Sequence, residues 1–259
     1  MSDEDISLDE KRVYADREGA TTAFLATGAG VARVEVSADI VGEFALRERC
    51  TARDVVADDG RLAVATTEDV LVGTGEGFEA TGFGPADAVG YHNGLLAAGE
   101  GRLARYEDGW ETLAHVGDVR AIDGDMVAAA DGIYRLDGTH VGLDAVDDVT
   151  TAGGPLAATA TGLYYLANGW MTALEGAFRV VDSDGGRAHA ATADALYERE
   201  AVDGEWAEIE LPVEEAVAGV AYADATYVVT ESGTFLANAG DGWRHRSLGL
   251  PAVAGVAVP

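Results

Sequence analysis

TATGLYYLANGW, residues 159–170, is a stretch that the sequence repeats with changes. Related stretches are GEGRLARYEDGW at residues 99–110, ADGIYRLDGTH at 130–140 and ESGTFLANAGDGW at 231–243. Recurrence of this kind indicates a repeat protein, in which each unit is too small to bury its own apolar face and therefore packs against its neighbours. The fold can therefore be predicted from the strands and turns of one repeat unit.

Each unit contains a short Val/Ala segment, a turn, a small apolar strand, a tight turn and a second strand that often carries an aromatic residue. The tight turns read GAG, TE, GEG, ADG, TG, AD and ESG, which are typical of β-hairpins. Successive small apolar strands begin 39, 33, 31, 30, 32 and 38 residues apart. These strands are predicted at Ala23–Thr27, Leu62–Thr66, Leu95–Ala98, Met126–Ala129, Leu156–Ala160, Ala188–Thr192 and Thr226–Thr230.

The pattern predicts an all-β fold, a single β-propeller of seven short blades. Units of 30 to 39 residues suit radial stacking, and the small Ala and Val side chains suit close approach near the axis. No segment of roughly 10 to 15 residues has a convincing helical period. Six blades with an irregular pair are the alternative count, because the first and last units are long. A solenoid or a double sandwich is the alternative architecture.

The two ends of the predicted ring match in sequence. VAGVAYA at Val217–Ala223 precedes the seventh unit, and the chain finishes with VAGVAVP at Val253–Pro259. We therefore predict that the C-terminal strand closes the ring by joining the N-terminal blade. RVYAD at Arg12–Asp16 is a second candidate for the inner strand of that blade, and the sequence leaves this choice open. Residues 1–10 are predicted to be a disordered acidic tail and residues 11–259 the propeller domain.

The charge is strongly negative along the whole chain. Acidic residues number 46 against 17 basic ones, which gives a net charge of −29, and the only lysine is Lys11. A dispersed acid excess with almost no lysine predicts a cytoplasmic protein of a salt-in halophile, since the Debye length falls to about 3 Å at about 1 M salt. The alternative is a polyanion mimic or a partner of a basic protein. Both interpretations argue against nucleic-acid binding, because phosphates would be repelled.

Other features of the composition bear on location and assembly. No apolar run reaches the ~18 residues of a membrane span, and the acidic start MSDEDISLDEK lacks a secretory-signal pattern. Cys50 is the single cysteine and cannot form an internal disulfide. We therefore expect a cytoplasmic monomer that does not associate with membranes.

KRVYADREGATTAFLATGAGVARVEVS, residues 11–37, and RERCTARDV, residues 47–55, resemble an uncharacterised family of haloarchaeal β-propeller proteins. The resemblance extends over essentially the whole chain. It implies a fold and a saline habitat but no activity, so it assigns no functional residue. A weaker similarity is to the Asp-box propellers of the sialidase type, of whose turn only the fragments EDGW, ANGW and GDGW are present.

A candidate binding site lies where the inner strands are predicted to begin. The pairs Asp54–Val55, Asp118–Val119 and Asp148–Val149 recur at this place, with Asp87 and Arg179 close to it. By fold analogy this end of a propeller forms the mouth of the central channel. A ring of carboxylates there could hold a cation or a basic partner. Alternatively, each Asp caps its own turn through the backbone.

A basic patch precedes the same region. Arg47, Arg49, Arg53 and Arg61 lie close together in a very acidic chain, where they could bind a carboxylate or phosphate bidentately or pair with neighbouring acids. The residues that we predict for a ligand-binding rim at the channel mouth are Arg47, Arg49, Arg53, Asp54, Asp118, Asp148 and Arg179.

Other reactive side chains give weaker signals. Cys50 is flanked by arginines, which favour a thiolate, but a small apolar residue at a strand start is the simpler interpretation. DSDGG at Asp182–Gly186 is a turn rather than a complete calcium loop. The histidines lack zinc-ligand spacing, so we predict neither a metal nor a cofactor. The recurring tryptophans are either packing anchors or an aromatic platform; they are Trp110, Trp170, Trp206 and Trp243.

The sequence favours a non-catalytic binding or scaffold protein, whose partner is another protein or a small anionic ligand. Short loops support this interpretation, because catalytic propellers need loops that carry acid, base or metal groups. The alternative is an enzyme of the hydrolase or lyase type with its site at the channel mouth. No catalytic residue is assigned by the sequence.

Overall fold

The structure, a computed structural model, describes residues 20–259 as seven four-stranded sheets whose strands pair antiparallel. No helix occurs in this range, so none of the described residues belongs to a helix that could cross a membrane. Each sheet is one blade of a propeller, and we number the blades in chain order.

The strands of blades 1 to 4 in chain order are β1 (Ala20–Thr27), β2 (Gly30–Ser37), β3 (Ile40–Glu48), β4 (Ala52–Asp58), β5 (Arg61–Thr66), β6 (Val70–Gly73), β7 (Phe78–Ala80), β8 (Ala88–Tyr91), β9 (Leu95–Gly99), β10 (Arg102–Tyr106), β11 (Trp110–His115), β12 (Val119–Asp123), β13 (Met126–Ala129), β14 (Gly132–Arg135) and β15 (His140–Gly142). The strands of blades 5 to 7 and the closing strand are β16 (Val146–Thr150), β17 (Leu156–Thr159), β18 (Gly162–Leu166), β19 (Trp170–Glu175), β20 (Val180–Ser183), β21 (Ala188–Ala191), β22 (Leu196–Arg199), β23 (Ala207–Ile209), β24 (Val217–Tyr222), β25 (Thr226–Thr230), β26 (Thr234–Asn238), β27 (Arg244–Ser247) and β28 (Val253–Ala257).

The C-terminal strand β28 closes the ring. It pairs antiparallel with β1, so that Leu25 lies opposite Val256, and blade 1 has the strand order β28-β1-β2-β3. The predicted seven-bladed all-β propeller and its closure by the C-terminal strand are therefore confirmed, and the alternative of six blades is wrong. The second candidate strand, Arg12–Asp16, and the predicted tail, residues 1–10, lie outside the described residues.

The second strand of each blade is made of small residues because both of its faces are covered by other blades. Ala63, Val64 and Ala65 of β5 are fully buried. Ala63 and Ala65 pack in one apolar cluster with Val89 and Ala97 of blade 3, whereas Val64 packs in the cluster shared with blade 1. Protein interiors are close-packed, and an extra methylene in such a place typically costs about 1–3 kcal/mol.

One glycine shows how closely the inner strands approach one another. A Cβ added to Gly90 of β8 would lie 2.7 Å from Ile122 of β12, the inner strand of the next blade. No real Cβ contact is that short, so only glycine fits between these two strands. The close spacing of these two inner strands around the axis thus depends on the glycine at position 90.

Threonines at the ends of second strands hold the hairpins that follow them. Thr27 Oγ1 donates to the carbonyl of Gly30 at 2.8 Å and accepts hydrogen bonds from the N–H groups of Ala29 and Gly30. This side-chain cap satisfies a tight turn without extra residues. Threonines in the same role cap blades 2, 5 and 6; they are Thr66, Thr159 and Thr192. These hairpins lie at the same end of the ring as the starts of the inner strands.

The tryptophans join neighbouring blades. Trp110 Nε1 donates to Thr81 Oγ1 of the preceding blade at 3.2 Å. Trp170 Nε1 donates to the carbonyl of Val141, again in the preceding blade, at 3.0 Å. Both rings also pack into the apolar clusters between blades. The packing-anchor interpretation is therefore confirmed for these two residues.

Candidate functional site

The inner strands surround a narrow central channel. They are β4, β8, β12, β16, β20, β24 and β28, and the cavity that they line has a volume of about 250 Å³. We call the end of the channel at which these strands begin the mouth. The capped hairpins described above stand around it, so the mouth is bordered by short turns and not by long loops.

A ring of seven equivalent positions forms the mouth. In blades 2, 4, 5 and 7 the position is the bulged residue directly after the first residue of the inner strand, because the strand pairing shifts there by one residue. Matching hairpin hydrogen bonds identify the other members. From blade 2 round to blade 1, the residues of this mouth ring are Arg53, Asp87, Arg120, Asp147, Arg179, Ala218 and Ala254.

Charges alternate along five members of the mouth ring. Arg53 Nη1 lies 2.5 Å from Asp87 Oδ1 and 3.5 Å from the carbonyl of Ala86. Arg120 repeats this arrangement one pair further round the ring, where it forms an ion pair with Asp147. Each arginine thus pairs with the acid of the following blade.

The ring changes character after Arg179. The next two positions are Ala218 and Ala254, so Arg179 has no acidic ring neighbour in the following blade. Its Nη2 instead lies 2.8 Å from Oε1 of Glu231, in the second hairpin of blade 7. The two alanines leave a notch of about 450 Å³ beside this ion pair, with Asp147 on its far side. We call this space the mouth notch.

Asp54 lies one step deeper in the channel and connects two blades. Its Oδ1 accepts the N–H of Val55 at 2.8 Å, and its Oδ2 accepts the N–H of Val89 in blade 3 at 2.9 Å. Although the carboxylate borders the channel cavity, protein surrounds it. Burial therefore raises the pKa of Asp54 to about 6, although both hydrogen bonds oppose this rise.

Asp148 makes the same two hydrogen bonds in blades 5 and 6. Its Oδ1 accepts the N–H of Val149 and its Oδ2 the N–H of Val181, both at 2.9 Å. Burial raises the pKa of Asp148 well above its ordinary value, and the nearby carboxylates of Asp182 and Asp54 add to the rise. Both carboxylates therefore act as bridges between consecutive inner strands.

Two further carboxylates lie at the far end of the channel. Asp123 Oδ2 accepts hydrogen bonds from the N–H and the hydroxyl of Thr151, at 2.5 and 2.7 Å, and so joins blade 4 to blade 5. Asp182 Oδ1 accepts the N–H of Ser183 at 2.7 Å. Burial raises the pKa of Asp182 to about 7, and the charge of Asp123 contributes to the rise.

A buried histidine lies behind this end of the channel. His189 is 1% exposed, and its Nδ1 lies 2.8 Å from the hydroxyl of Tyr222, which donates to the backbone carbonyl of Asp182. Burial lowers the pKa of His189 to about 4, and the neighbouring Arg187 also lowers it. The histidine is therefore neutral at neutral pH.

The structure brings some of the predicted rim residues together and separates others. Arg53, Asp54, Asp148 and Arg179 line the channel. Asp118 is exposed and has a positive φ of 47°, in the bend before β12. Its carbonyl accepts the hairpin hydrogen bond that Thr51 accepts in blade 2, so our alignment of Asp118 with Asp54 was wrong. The bulges near the starts of β4 and β12 obscure the register.

The other arginines of the predicted rim lie away from the channel. Arg47 is exposed on the outer strand β3, and Arg49 is exposed just beyond it. Sequence reasoning also missed four channel residues, which are Arg120, Asp123, Asp147 and Asp182. Alignment of the Val or Ala residue that begins each inner strand would have found the two ring members among them.

The cysteine has no sign of activation. Cys50 is half-buried in the apolar cluster between blades 1 and 2. Burial raises the pKa of its thiol, and the carboxylates of Glu48 and Glu68 raise it further. The arginines that flank it in sequence therefore do not produce a thiolate. Within residues 20–259, no group of three or more His, Cys, Asp or Glu side chains has a metal-binding arrangement.

Residues 7–259 match the model of a family described as HVO_0234-like, beta propeller. The chain belongs to this family. No curated protein has significant sequence similarity to it. The family thus extends the β-propeller assignment over nearly the whole chain.

Solved structures share the fold at low sequence identity. The extracellular domain of a hybrid two component system from B. thetaiotaomicron superposes with a TM-score of 0.65 at 14% identity, covering 80% of this chain and 35% of its own. A chain of the nidogen/laminin complex gives 0.58 at 9% identity, with 92% and 98% covered. The computationally designed Ika8 protein gives 0.62 at 12% identity, with 93% and 87% covered. Identities this low show the fold alone.

Proposed function

We propose that this propeller is a non-catalytic binding protein that holds a carboxylate at the mouth notch. The carboxylate belongs either to an acidic side chain of a partner protein or to a small anionic ligand. The observation that carries the proposal is the interruption of the mouth ring. Arg53 and Arg120 each pair with an acid of the ring, whereas Arg179 faces Ala218 and pairs outside the ring with Glu231.

The ion pair between Arg179 and Glu231 is weak enough for a bound carboxylate to replace Glu231 as the partner of Arg179. Both side chains are about half exposed, at 51% and 46%. Ion pairs at such positions contribute about 0–1 kcal/mol, so an incoming carboxylate replaces Glu231 at little cost. The notch beside the pair is large enough to admit a small molecule or a side chain. An arginine fork can bind such a carboxylate with two parallel hydrogen bonds.

The channel carboxylates support a non-catalytic role. Asp54 and Asp148 each have both oxygens engaged by backbone N–H groups of two blades, so they are committed to the architecture. One observation favours the alternative, a hydrolase or lyase acting around Arg53, Asp54 and Asp148. The pKa of Asp54 is raised to about 6, a value suited to acid–base chemistry near neutral pH.

A saline cytoplasm is part of the proposal. The net charge of −29 would repel an anionic ligand at low ionic strength. At about 1 M salt, charges more than about 3 Å apart are largely screened, so the local arginine decides the interaction. Binding to nucleic acid and association with membranes are not part of this proposal.

Citrate is a suitable probe because it presents carboxylates on a small flexible body. We expect wild-type protein to bind citrate by isothermal titration calorimetry in about 1 M KCl, and Arg179→Gln to bind it about tenfold more weakly, as expected for loss of a charge-assisted contact. The control is Arg135→Gln, because Arg135 forms a comparable surface ion pair with Asp125 outside the mouth. Equal binding by the two variants would contradict the proposal.

A second variant tests the notch without removing an arginine. Ala218→Asp places an acid where Asp87 and Asp147 stand in their blades. The new carboxylate should pair with Arg179 and weaken citrate binding by a similar factor. Ala223→Asp is the matched control, since Ala223 is exposed in the turn at the other end of the same inner strand and does not line the notch.

A further inference from the structure

A second cavity lies between blades 5 and 6. Its volume is about 660 Å³, within the usual range of small-molecule sites. Blade 5 contributes an apolar wall that includes Leu156, Leu166 and Leu174. Blade 6 contributes Arg199, at the end of β22, and the segment of residues 202–206 that follows it. We call this space the side cavity.

Arg199 is a buried residue, and the Nε atom of its guanidinium lacks a partner within residues 20–259. Its side chain lines the side cavity, the residue is 7% exposed, and its Nε has no hydrogen-bond partner among the described residues. It takes part in none of the ion pairs formed by residues 20–259. Buried guanidinium groups are normally satisfied by carboxylates or carbonyls, because an unpaired buried charge is costly. The Arg199 guanidinium therefore has a donor that the described residues do not use.

Trp206 holds the guanidinium in place. The central carbon of the Arg199 guanidinium lies 5.3 Å from the centroid of the Trp206 ring. A cation above an aromatic face keeps the edge of its plane, which carries the N–H groups, free to donate. The stacking therefore orients the donors without using them.

We propose that the side cavity binds a small molecule that carries one carboxylate on an apolar body. The carboxylate accepts hydrogen bonds from Arg199, and the body lies against the leucine wall of blade 5. An arginine fork matches the geometry of a carboxylate, and burial strengthens the interaction by excluding water. This site is separate from the mouth notch and goes beyond the function proposed above.

The acids at the cavity limit the charge of the ligand. Asp203 and Glu205 belong to the same wall as Arg199. The charge of Asp203 also acts on Arg199, because it raises the arginine pKa that burial lowers. These acids repel any anion, and the repulsion of a phosphate with two charges is about twice that of a carboxylate with one. A monocarboxylate is therefore the chemical class that fits.

Benzoate is the probe, and benzamide is its uncharged counterpart of the same shape. We expect wild-type protein to bind benzoate weakly, with a Kd on the order of 1 mM for so few atoms, measured by ligand-observed NMR in about 1 M KCl. Benzamide and the variant Arg199→Gln should each show binding about tenfold weaker. The matched control is Arg187→Gln in the same blade, whose arginine has its own partner in Asp184. That variant should bind benzoate like the wild type.

A variant that is expected to bind benzoate more tightly makes the test independent of misfolding, because a misfolded protein would not gain affinity. Asp203 lies on an exposed segment, so Asp203→Asn should fold normally. Because it removes a carboxylate that competes for Arg199, we expect benzoate to bind several-fold more tightly. The proposal is overturned if neither wild type nor Asp203→Asn binds benzoate. It is also overturned if benzamide binds as well as benzoate, or if Arg199→Gln leaves benzoate binding unchanged.

Discussion

Asp54 in the central channel and Arg199 in the side cavity are two charges that the fold withdraws from bulk water, and their surroundings differ. Asp54 receives one N–H from its own strand and another from the next blade. The Nε of Arg199 receives no partner from the described residues. The difference teaches that a buried charge in a repeat protein belongs to the architecture when the neighbouring repeat supplies its partner. The Nε of Arg105 also lacks a partner among these residues, so an unused donor indicates a binding site only where it lines a cavity, as Arg199 does.

The surroundings of Asp54 and Arg199 differ because Asp54 lies among regularly repeated strands and Arg199 does not. Inner strands repeat with a fixed offset, so a carboxylate at one place in a strand meets a backbone N–H of the next strand, as Asp54 and Asp148 both do. The segment of residues 200–206 is the irregular connection between β22 and β23, and it is longer than the corresponding connection in every other blade. Arg199 therefore ends a regular strand but faces an irregular surface.

The largest expected change in unfolding free energy comes from the ionisation of Asp54. Its pKa is about 6 in the folded protein, against an ordinary value of 3.8, so the native state holds the proton more tightly than the unfolded state. The ionised carboxylate therefore destabilises the fold above pH 6, and this penalty disappears as the pH falls below 6 towards 4. Relative to Asp54→Asn, the wild type should gain about 2–3 kcal/mol in unfolding free energy between about pH 8 and pH 4. Chemical denaturation of both proteins at the two pH values measures the gain.

The difference between the two proteins is what isolates Asp54. His189 has a lowered pKa of about 4, so the unfolded chain binds its proton first, and stability is lost as the pH falls from about 6.5 towards 4. That loss affects the wild type and Asp54→Asn alike and cancels in the comparison. If the two stability curves run parallel, the channel carboxylate is not a buried charge.

The next largest effect should follow from removing a bridge between blades. Asp123→Ala leaves the N–H and the hydroxyl of Thr151 without their acceptor, which should cost about 2 kcal/mol of unfolding free energy. Asp125→Ala in the same hairpin removes only a surface ion pair with Arg135 and should cost less than about 1 kcal/mol. Urea denaturation measures both values. Equal costs would mean that the bridge contributes nothing beyond a surface pair.

The smallest expected change is a gain in stability. Replacing Arg199 by methionine removes a buried charge and keeps an apolar side chain, so without ligand the protein should be more stable by about 0.5–1 kcal/mol. Arg187→Met, which loses an ion pair with Asp184, should show no gain. Thermal unfolding in the same salt compares the two variants. A loss of stability in Arg199→Met would show that Arg199 is a structural residue like Asp123.

The sequence was sufficient to predict what the repeat controls. The hairpin turns and the alanine-rich second strands predicted seven blades, and the match between Val217–Ala223 and Val253–Pro259 predicted the closing strand. These features depend on local turn chemistry and on small residues that allow close packing. Each is visible within one unit and is reinforced by its recurrence in the others.

The sites were harder to predict because they depend on small departures from the repeat. A bulge one residue long shifts the register of β4 and of β12, so aligning Asp118 with Asp54 missed the true ring member, Arg120. Arg199 gave no signal because its environment is built by blade 5, more than 20 positions earlier in the chain at Leu174. Neither the bulge nor the cavity produces a recognisable pattern in the amino-acid sequence.

The pairing of β28 with β1 also determines the order in which the protein can assemble. Leu25 and its partner Val256 are far apart along the chain, and the strands of the other six blades lie between them. While the chain grows on the ribosome, β1 therefore exposes an unpaired edge that can pair with β1 of another chain, and domains fold largely in the order in which they emerge. Closure of the ring therefore waits until β28 has been made, and until then the edge of β1 is open to aggregation.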